Sequence, residues 1–297
     1  MEVHSNIINT RFNETQYDIS WRDIMRYAAA IADNNPFYLD DEREGGIIAH
    51  PMFPVTLTMP IAENLTDYLN KESVQDFQYD VLMSSVHYSE YIKIYRLIRP
   101  NDRIIIRIRI VALLPHRAGT HIILCFEAKD KLGKPVFTEY LGGMLRGIEC
   151  VGGEKGRENL PQVPQIEQVG KLLWQRDIFI DPLRAHIYDG CVGPNLPYHT
   201  SKEFAHSVGL PDILLQGVCT LAFATSEIIS KELGGEPTKV TDIACNFTGM
   251  VIPNTKIRIE LIDKKEKKDC YELFFEVDNK QDKKAIRGGF MRVNKDR

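Results

Sequence analysis

Two segments of the chain carry an acid or a base in a setting suited to proton transfer. The first begins with Asp33 and ends at Tyr38, and the second ends at His199. An imidazole titrates near neutrality and can take a proton from water, and a carboxylate can hold and orient that water. Each segment supplies only part of this pair, because Pro194 stands in the second segment where the first has Asp33.

These two segments occupy equivalent places in two halves of the chain that share one order of motifs. Residues 27–38 align without a gap on residues 188–199. Three further matches follow in the same order, which are 47–51 with 213–217, 98–102 with 251–255, and 142–146 with 288–292. A repeat of this length indicates a duplicated domain rather than a solenoid.

Composition limits the classes of protein that need to be considered. The 297 residues are enough for two domains, 43% of them are hydrophobic and 26% are charged, as in ordinary globular proteins. The net charge of −4 and a pI near 6.1 do not favour nucleic acid. Six cysteines without a CxxC pair, no signal peptide and no apolar run that could cross a bilayer predict a cytoplasmic protein with no membrane partner.

Each half is predicted to begin with an amphipathic helix and to continue with a longer, more apolar one. Residues 21–32 have helical periodicity, with Ser20 as the N-cap, and the counterpart is predicted to start at Asp181-Pro182. The second apolar helix is predicted over 217–232, ending before Gly234. In the first half, prolines at the matching place predict a shorter or kinked helix.

Strands are predicted to close each half. Residues 103–110 and 256–261 alternate between apolar and polar side chains, which is typical of an antiparallel sheet with one covered face. A glycine- and proline-rich stretch then divides the chain into a domain at 1–150, a linker at 151–173 and a domain at 174–297. The expected fold class is α+β, with a long helix covering an antiparallel sheet in each domain.

The motifs together resemble a known family. The first segment reads Asp33-Asn34-Asn35-Pro36-Phe37-Tyr38, the second reads Pro194-Asn195-Leu196-Pro197-Tyr198-His199, and Gln216-Gly217 opens the second apolar helix. In this order and twice over, they resemble the MaoC-like, or R-specific enoyl-CoA hydratase (hydratase 2), family in its double hot-dog form. The resemblance covers nearly the whole chain. It implies two tandem hot-dog folds that form one pseudo-dimer.

The resemblance also implies a reaction and a partner. The expected reaction is the reversible hydration of a 2-enoyl thioester to a 3-hydroxyacyl thioester. The expected partner is an acyl-CoA or acyl-carrier-protein thioester. Coenzyme A would be part of the substrate, and neither a further cofactor nor a metal is expected. A homo-oligomer is left open.

The resemblance assigns the site to the second half. His199 is the expected base, and the side-chain-free start of the helix at Gly217 is expected to face the thioester oxygen. Asn195 is the nearest polar residue that could replace the missing carboxylate, although an asparagine in a proline-rich turn is the simpler interpretation. Close packing of the helix on the sheet is likewise an alternative explanation of Gly217.

Alternatives to this assignment remain open. Asp33, with Tyr38 and His50 as its obvious partners, could form a site in the first half, although Asp-Asn-Asn-Pro is also strong turn chemistry. The incomplete acid/base pair in both halves also allows a non-catalytic acyl-CoA-binding or complex-forming protein. A thioesterase on the same fold would need a carboxylate near a central helix, where Glu63 and Glu227 are candidates by position.

Three further features have ordinary structural explanations. Cys219 and Cys245 stand among apolar residues and are predicted to be core residues. The run 264–268 is predicted to be a solvated hairpin turn, with a phosphate contact as the alternative. The glycine pairs at 142–143 and 288–289 indicate crowding in a curved sheet.

Overall fold

The computed structural model describes residues 1–8, 10, 12–68, 85–166, 172–193 and 196–296. Its strands are β1 Glu2–His4, β2 Thr15–Asp18, β3 Ser85–Ile94, β4 Arg103–His116, β5 Gly119–Asp130, β6 Pro135–Arg146, β7 Glu149–Val151, β8 Trp174–Ile180, β9 Val240–Phe247, β10 Thr255–Glu266, β11 Cys270–Asp278 and β12 Lys284–Asn294. Its α-helices are α1 Trp21–Ala30, α2 Pro36–Leu39, α3 Val55–Glu63, α4 Arg184–Val192, α5 Lys202–Ser207 and α6 Gly217–Leu233.

Ten of these strands form one sheet in the order β2-β4-β5-β6-β3-β9-β12-β11-β10-β8. Read outward from its centre, the order is the same in both halves, as a duplicated fold requires. The halves join where β3 and β9 pair antiparallel, from Ser89 opposite Asn246 to Lys93 opposite Asp242. This pairing hydrogen-bonds two strand edges that would otherwise be exposed. The prediction of two hot dogs with one continuous antiparallel sheet is confirmed.

The helix boundaries follow local capping chemistry. Ser20 and Asp23 form a capping box at the start of α1, in which each side chain accepts the backbone N–H of the other. Gly234 ends α6 in the left-handed conformation, with φ of 61°. Both features agree with the sequence prediction.

The helices of the two halves differ more than the strands do. The central helix of the first half, α3, has nine residues and contains Pro60, whereas α6 has 17 residues. The predicted start of α4 at Asp181-Pro182 is wrong, because a turn comes first. The carboxylate of Asp181 accepts the N–H of Leu183 at 2.8 Å, and its carbonyl accepts the N–H of Arg184 at 2.9 Å. The helix therefore begins at Arg184.

The predicted linker crosses the face of the sheet that lies away from the central helices. Lys155 forms a β-bridge with Leu113, and Leu160 packs on the apolar side chains of β4 and β5. Further along, Val163 packs beside Phe274 and Phe290. Both faces of the sheet are thus partly covered. The exact division into domains at 150 and 174 stays a prediction.

Other structural expectations are confirmed. Cys219 and Cys245 are buried in the main core. The lysine-rich run lies where β10 ends and a short turn leads into β11. At Gly289, an added Cβ would lie 2.5 Å from the carbonyl oxygen of Phe275 on the paired strand, which is too close for any side chain.

Candidate active site

His199 is held by a backbone carbonyl from the segment that leads into α6. It ends a short 3-10 turn, Pro197–His199, and its Nδ1 lies 2.7 Å from the carbonyl oxygen of Leu214. Because a carbonyl can only accept, Nδ1 carries the hydrogen and Nε2 keeps its lone pair. No residue in the described parts of the chain hydrogen-bonds this Nε2. The arrangement is that of an oriented base with its accepting nitrogen available.

The electrostatic surroundings keep this imidazole neutral near pH 7. Burial lowers the pKa of His199 below its ordinary value, and the bond to Leu214 and the negative charge of Asp189 offset part of that effect. A neutral imidazole is the form that accepts a proton. The nearby carboxylate of Asp189 favours the imidazolium that forms once the proton has been taken.

A second hydrogen bond also connects the segment around His199 to the start of α6. Leu214 donates its N–H to the carbonyl of Tyr198 at 3.3 Å, and it lies two residues before Gln216, the N-cap. The side chain of Gln216 does not cap the helix. The first N–H groups of α6 lack intrahelical acceptors and lie at the positive end of the helix dipole, which suits an anionic oxygen.

Gly217 is required for close packing at this helix start. A Cβ at this position would lie 3.0 Å from a ring carbon of Phe247, the last residue of β9. This close contact favours the packing explanation of this glycine. Close packing does not exclude a contact between the Gly217 N–H and substrate, because a residue without a side chain lets both Phe247 and a substrate approach its backbone.

The first half contributes a second acid to the surroundings of His199. Glu63 is the last residue of α3, and its charge acts on Asp189 and on Tyr198, the neighbour of His199. Burial, together with the negative charge of Asp189, raises the pKa of Glu63 to about 7. Two carboxyl groups in one place, one of which titrates near neutrality, can hold and exchange a proton. The helix of the first half thus reaches the site of the second.

The sequence analysis did not select two residues of this site, Leu214 and Asp189. A third, Asn195, was predicted but lies outside the residues that the structure describes. Leu214 acts through its backbone, so its side-chain type carries no signal. Asp189 stands next to Tyr188 in the aligned segment but matches an alanine in the first half, which gave no reason to select it. Asn195, the predicted substitute for the missing carboxylate, and Pro194 lie outside the described residues.

In the first half, the structure brings Asp33, Tyr38 and His50 together. His50 is 1% exposed, and its ring lies 5.2 Å from that of Tyr38. Its Nδ1 accepts the N–H of Met52 at 3.0 Å, so its Nε2 carries the hydrogen and donates to the hydroxyl of Ser226 at 3.2 Å. Both nitrogens are therefore engaged, and burial lowers the pKa of His50 to about 4, against the raising effect of Asp33.

Asp33 is likewise used by its own turn. Its carboxylate accepts the N–H of Asn35 at 3.0 Å, and Asn35 accepts the N–H of Phe37, also at 3.0 Å. The hydroxyl of Tyr38 is buried without a partner among the described residues. Asp33 and His50 thus lack the free base that His199 offers. Glu227, the other carboxylate selected by position, lies on α6. One of its carboxylate oxygens is 4.0 Å from the Nε of Arg176 on β8.

Comparisons with known proteins agree with this architecture. The model described as "MaoC like domain" matches residues 170–285, and that described as "FAS1-like, dehydratase domain region" matches residues 6–139. The two matches fall on the two halves of the sheet. The C-terminal half is therefore similar to a MaoC-like domain, and the N-terminal half is similar to a FAS1-like dehydratase region. Together with relatives named enoyl-CoA hydratase 2, these two matches support the assignment of the chain as a hydro-lyase.

Individual MaoC-like relatives match along most of the chain. A probable enoyl-CoA hydratase 2 of Dictyostelium discoideum is 23% identical over 260 residues, which are 86% of this chain and 85% of the relative. The peroxisomal enoyl-CoA hydratase 2 of Arabidopsis thaliana is 26% identical over 266 residues, covering 84% and 83%. A MaoC-like dehydratase from Phytophthora capsici superimposes with a TM-score of 0.83 at 20% identity, covering 98% of this chain and 97% of that one, and shows the shared fold.

Among the described residues, no helix is long and apolar enough to cross a membrane. Within the same residues, no cluster of three or more His, Cys, Asp or Glu side chains could hold a metal ion.

Proposed function

We propose that this chain catalyses the reversible hydration of a 2-enoyl thioester to a 3-hydroxyacyl thioester, at a site in its C-terminal half. The observation that carries the proposal is the bond from His199 Nδ1 to the Leu214 carbonyl, which leaves Nε2 as an oriented, neutral base. The names of the relatives support coenzyme A as the thiol, since two of them are called enoyl-CoA hydratase 2.

His199 acts on the water in this proposal. Its Nε2 takes a proton from water as the oxygen bonds to the β-carbon of the enoyl group. The electron pair of the double bond moves toward the thioester carbonyl, whose oxygen gains negative charge. The N–H groups at the start of α6, around Gly217, are placed to stabilise that oxygen. In the reverse direction the same groups remove water from a 3-hydroxyacyl thioester.

Asp189 and Glu63 take the place of the carboxylate that the second segment lacks. Asp189 stabilises the imidazolium that forms at His199. Glu63, with its pKa near 7, is the candidate that returns a proton to the α-carbon. This division uses one acid from each half of the chain. Asp33 and His50 have a structural role in this scheme, because the Asp33 carboxylate accepts the N–H of Asn35 and both ring nitrogens of His50 are hydrogen-bonded, while Tyr38 packs against the His50 ring.

The second candidate function is acyl-CoA binding without turnover. The substitution of Pro194 for an aspartate favours it, since a base without a suitable partner is slow. Two measurements together distinguish the hydratase from the binding protein. The first is hydration of crotonyl-CoA, monitored by the loss of absorbance of the conjugated enoyl group, and the second is calorimetry with butyryl-CoA. Turnover that depends on His199 supports the proposal. Binding of butyryl-CoA without hydration would favour the binding protein, and release of free thiol would favour a thioesterase.

A further inference from the structure

A cavity lies on the face of the sheet away from the central helices; we call it the outer cavity. It has a volume of about 400 Å³ and lies over the junction of β3 and β9. The crossing segment between Arg157 and Gln165 forms its outer wall. This volume is within the range of small-molecule sites. Nothing in the proposed hydration uses this cavity.

A serine and a histidine meet inside the cavity. The Oγ of Ser89 lies 3.0 Å from the Nε2 of His121, a distance suited to transfer of the serine proton. Ser89 follows an irregularity in the pairing of β3 with β6, between His87 and Ser89. Such bulges redirect side chains and are frequent beside active sites. No described residue hydrogen-bonds the Nδ1 of His121.

Gly142 creates the space in which the two side chains meet. A Cβ at this position would lie 2.1 Å from the Oγ of Ser89 and 2.2 Å from the Nε2 of His121. Any other residue would therefore push the pair apart. The glycine that the sequence analysis attributed to sheet crowding thus has a specific neighbour, namely the contact between these two polar groups.

The chain contains a second Ser–His contact that serves as a comparison. The buried pair of Ser226 and His50 is 3.2 Å apart, but the Nδ1 of His50 accepts a backbone N–H. Its Nε2 must then carry hydrogen and cannot take the serine proton. At His121 this restriction is absent. Burial, with the positive charge of Arg157 and the neighbouring His116, lowers the pKa of His121 to about 4, so the imidazole is neutral at pH 7.

We propose that Ser89 and His121 form a nucleophile and its base, and that the outer cavity accepts small carboxylic esters. Ser89 Oγ bonds to the ester carbonyl carbon while its proton passes to His121 Nε2. The ester C–O bond then breaks, and the proton goes to the leaving alcohol. Water next attacks the acyl-serine and gives a proton to His121. The bond between the acyl carbon and Ser89 Oγ breaks, the proton passes from His121 to Oγ, and the carboxylic acid is released.

The walls of the cavity suit a small, largely uncharged ester. Ile123, Leu160 and Val163 provide apolar contacts for a short acyl or alcohol group. Tyr140 and Asn246 also line the cavity, and their side chains carry hydrogen-bond donors of the kind that a developing oxyanion requires. The volume of about 400 Å³ limits the ester to a small one, which excludes a complete acyl-CoA molecule.

A fluorophosphonate probe tests the proposal directly in the full-length chain. The expected result is one covalent adduct per chain, located at Ser89 by peptide mass spectrometry. The matched variant Ser226→Ala should keep the adduct, whereas Ser89→Ala should lose it. An unlabelled wild-type chain, or an adduct on any other serine, would overturn the proposal.

Hydrolysis of p-nitrophenyl butyrate provides the second measurement. His121→Asn should lower the acylation rate by ~10²-fold or more, the contribution of a positioned base. Gly142→Ala should lower it as well, because the added methyl group separates the pair. Unchanged crotonyl-CoA hydration in each variant would show that the chain is folded. An ester hydrolysis rate that stays the same in Ser89→Ala and His121→Asn would refute the assignment.

Discussion

The two functions of the His199 side chain can be separated by two substitutions. An asparagine places its Nδ2 close to where histidine has Nδ1, so His199→Asn keeps a donor for the Leu214 carbonyl but has no group at the position of Nε2. His199→Ala removes both. If Nε2 is the base, we expect each variant to lose ~10²–10⁴ in kcat/KM for crotonyl-CoA hydration, or about 3–5 kcal/mol of transition-state stabilisation.

Stability should distinguish the same two variants. Among the described residues, the bond of 2.7 Å is the only hydrogen bond of this ring, and removing the donor leaves a partly buried carbonyl without its partner. That loss costs about 1–3 kcal/mol. His199→Ala should therefore unfold at lower denaturant concentration than the wild type, and His199→Asn should stay close to it.

Asp33→Ala is the control from the equivalent segment, and it should change kcat/KM by less than ~10-fold, below the usual contribution of a general base. If His199→Asn keeps activity within tenfold of the wild type, Nε2 is not the base and the reasoning fails. If Asp33→Ala abolishes turnover while His199→Ala does not, the site belongs to the first half.

Three further expectations concern pH and packing. The midpoint of the acid limb in the pH profile of kcat/KM should lie below pH 6.5, because burial lowers the pKa of His199. Asp189→Asn should shift this midpoint to still lower pH, since the Asp189 carboxylate raises that pKa, and a shift to higher pH would contradict this electrostatic assignment. Gly217→Ala should reduce hydration, and adding Phe247→Leu should restore stability but not activity if the backbone must approach substrate; recovery of both would leave a packing role alone. Burial raises the pKa of the Glu139 carboxyl well above its ordinary value, so the contribution of this group to stability is complete below its unfolded pKa. As pH rises above that value, the stability of the fold decreases by up to ~1.4 kcal/mol per pH unit. Glu139→Gln should therefore raise the melting temperature more at pH 8 than at pH 5, and equal gains would refute this expectation.

Much of the fold could be predicted because it depends on local and repeated signals. The capping box at Ser20, the stop at Gly234 and the alternation in β4 are each readable within a few residues. The order of matched motifs then implied two equivalent halves. The start of α4 was predicted wrongly, because Asp181 uses its carboxylate and carbonyl to form a turn that precedes the helix.

The candidate site was less predictable because its contacts are tertiary. The acceptor for His199 is a backbone carbonyl 15 residues away, which any residue type could supply. Glu63 was selected only for its position near a central helix, and its relation to Asp189 depends on the packing of α3 against the other half. The catalytic assignments of His199 and Gly217 remain predictions that the variants above address, and that of Asn195 also remains a prediction.

The central pairing of β3 with β9 has a consequence for biosynthesis. These strands lie roughly 150 residues apart in the chain, so at 5–20 residues per second a ribosome adds β9 about 8–30 s after β3. During that interval the nascent first half presents β3 without its partner, an edge open to pairing with another chain. We therefore expect translation pauses after β3, or truncation before β9, to increase aggregation of the newly made protein.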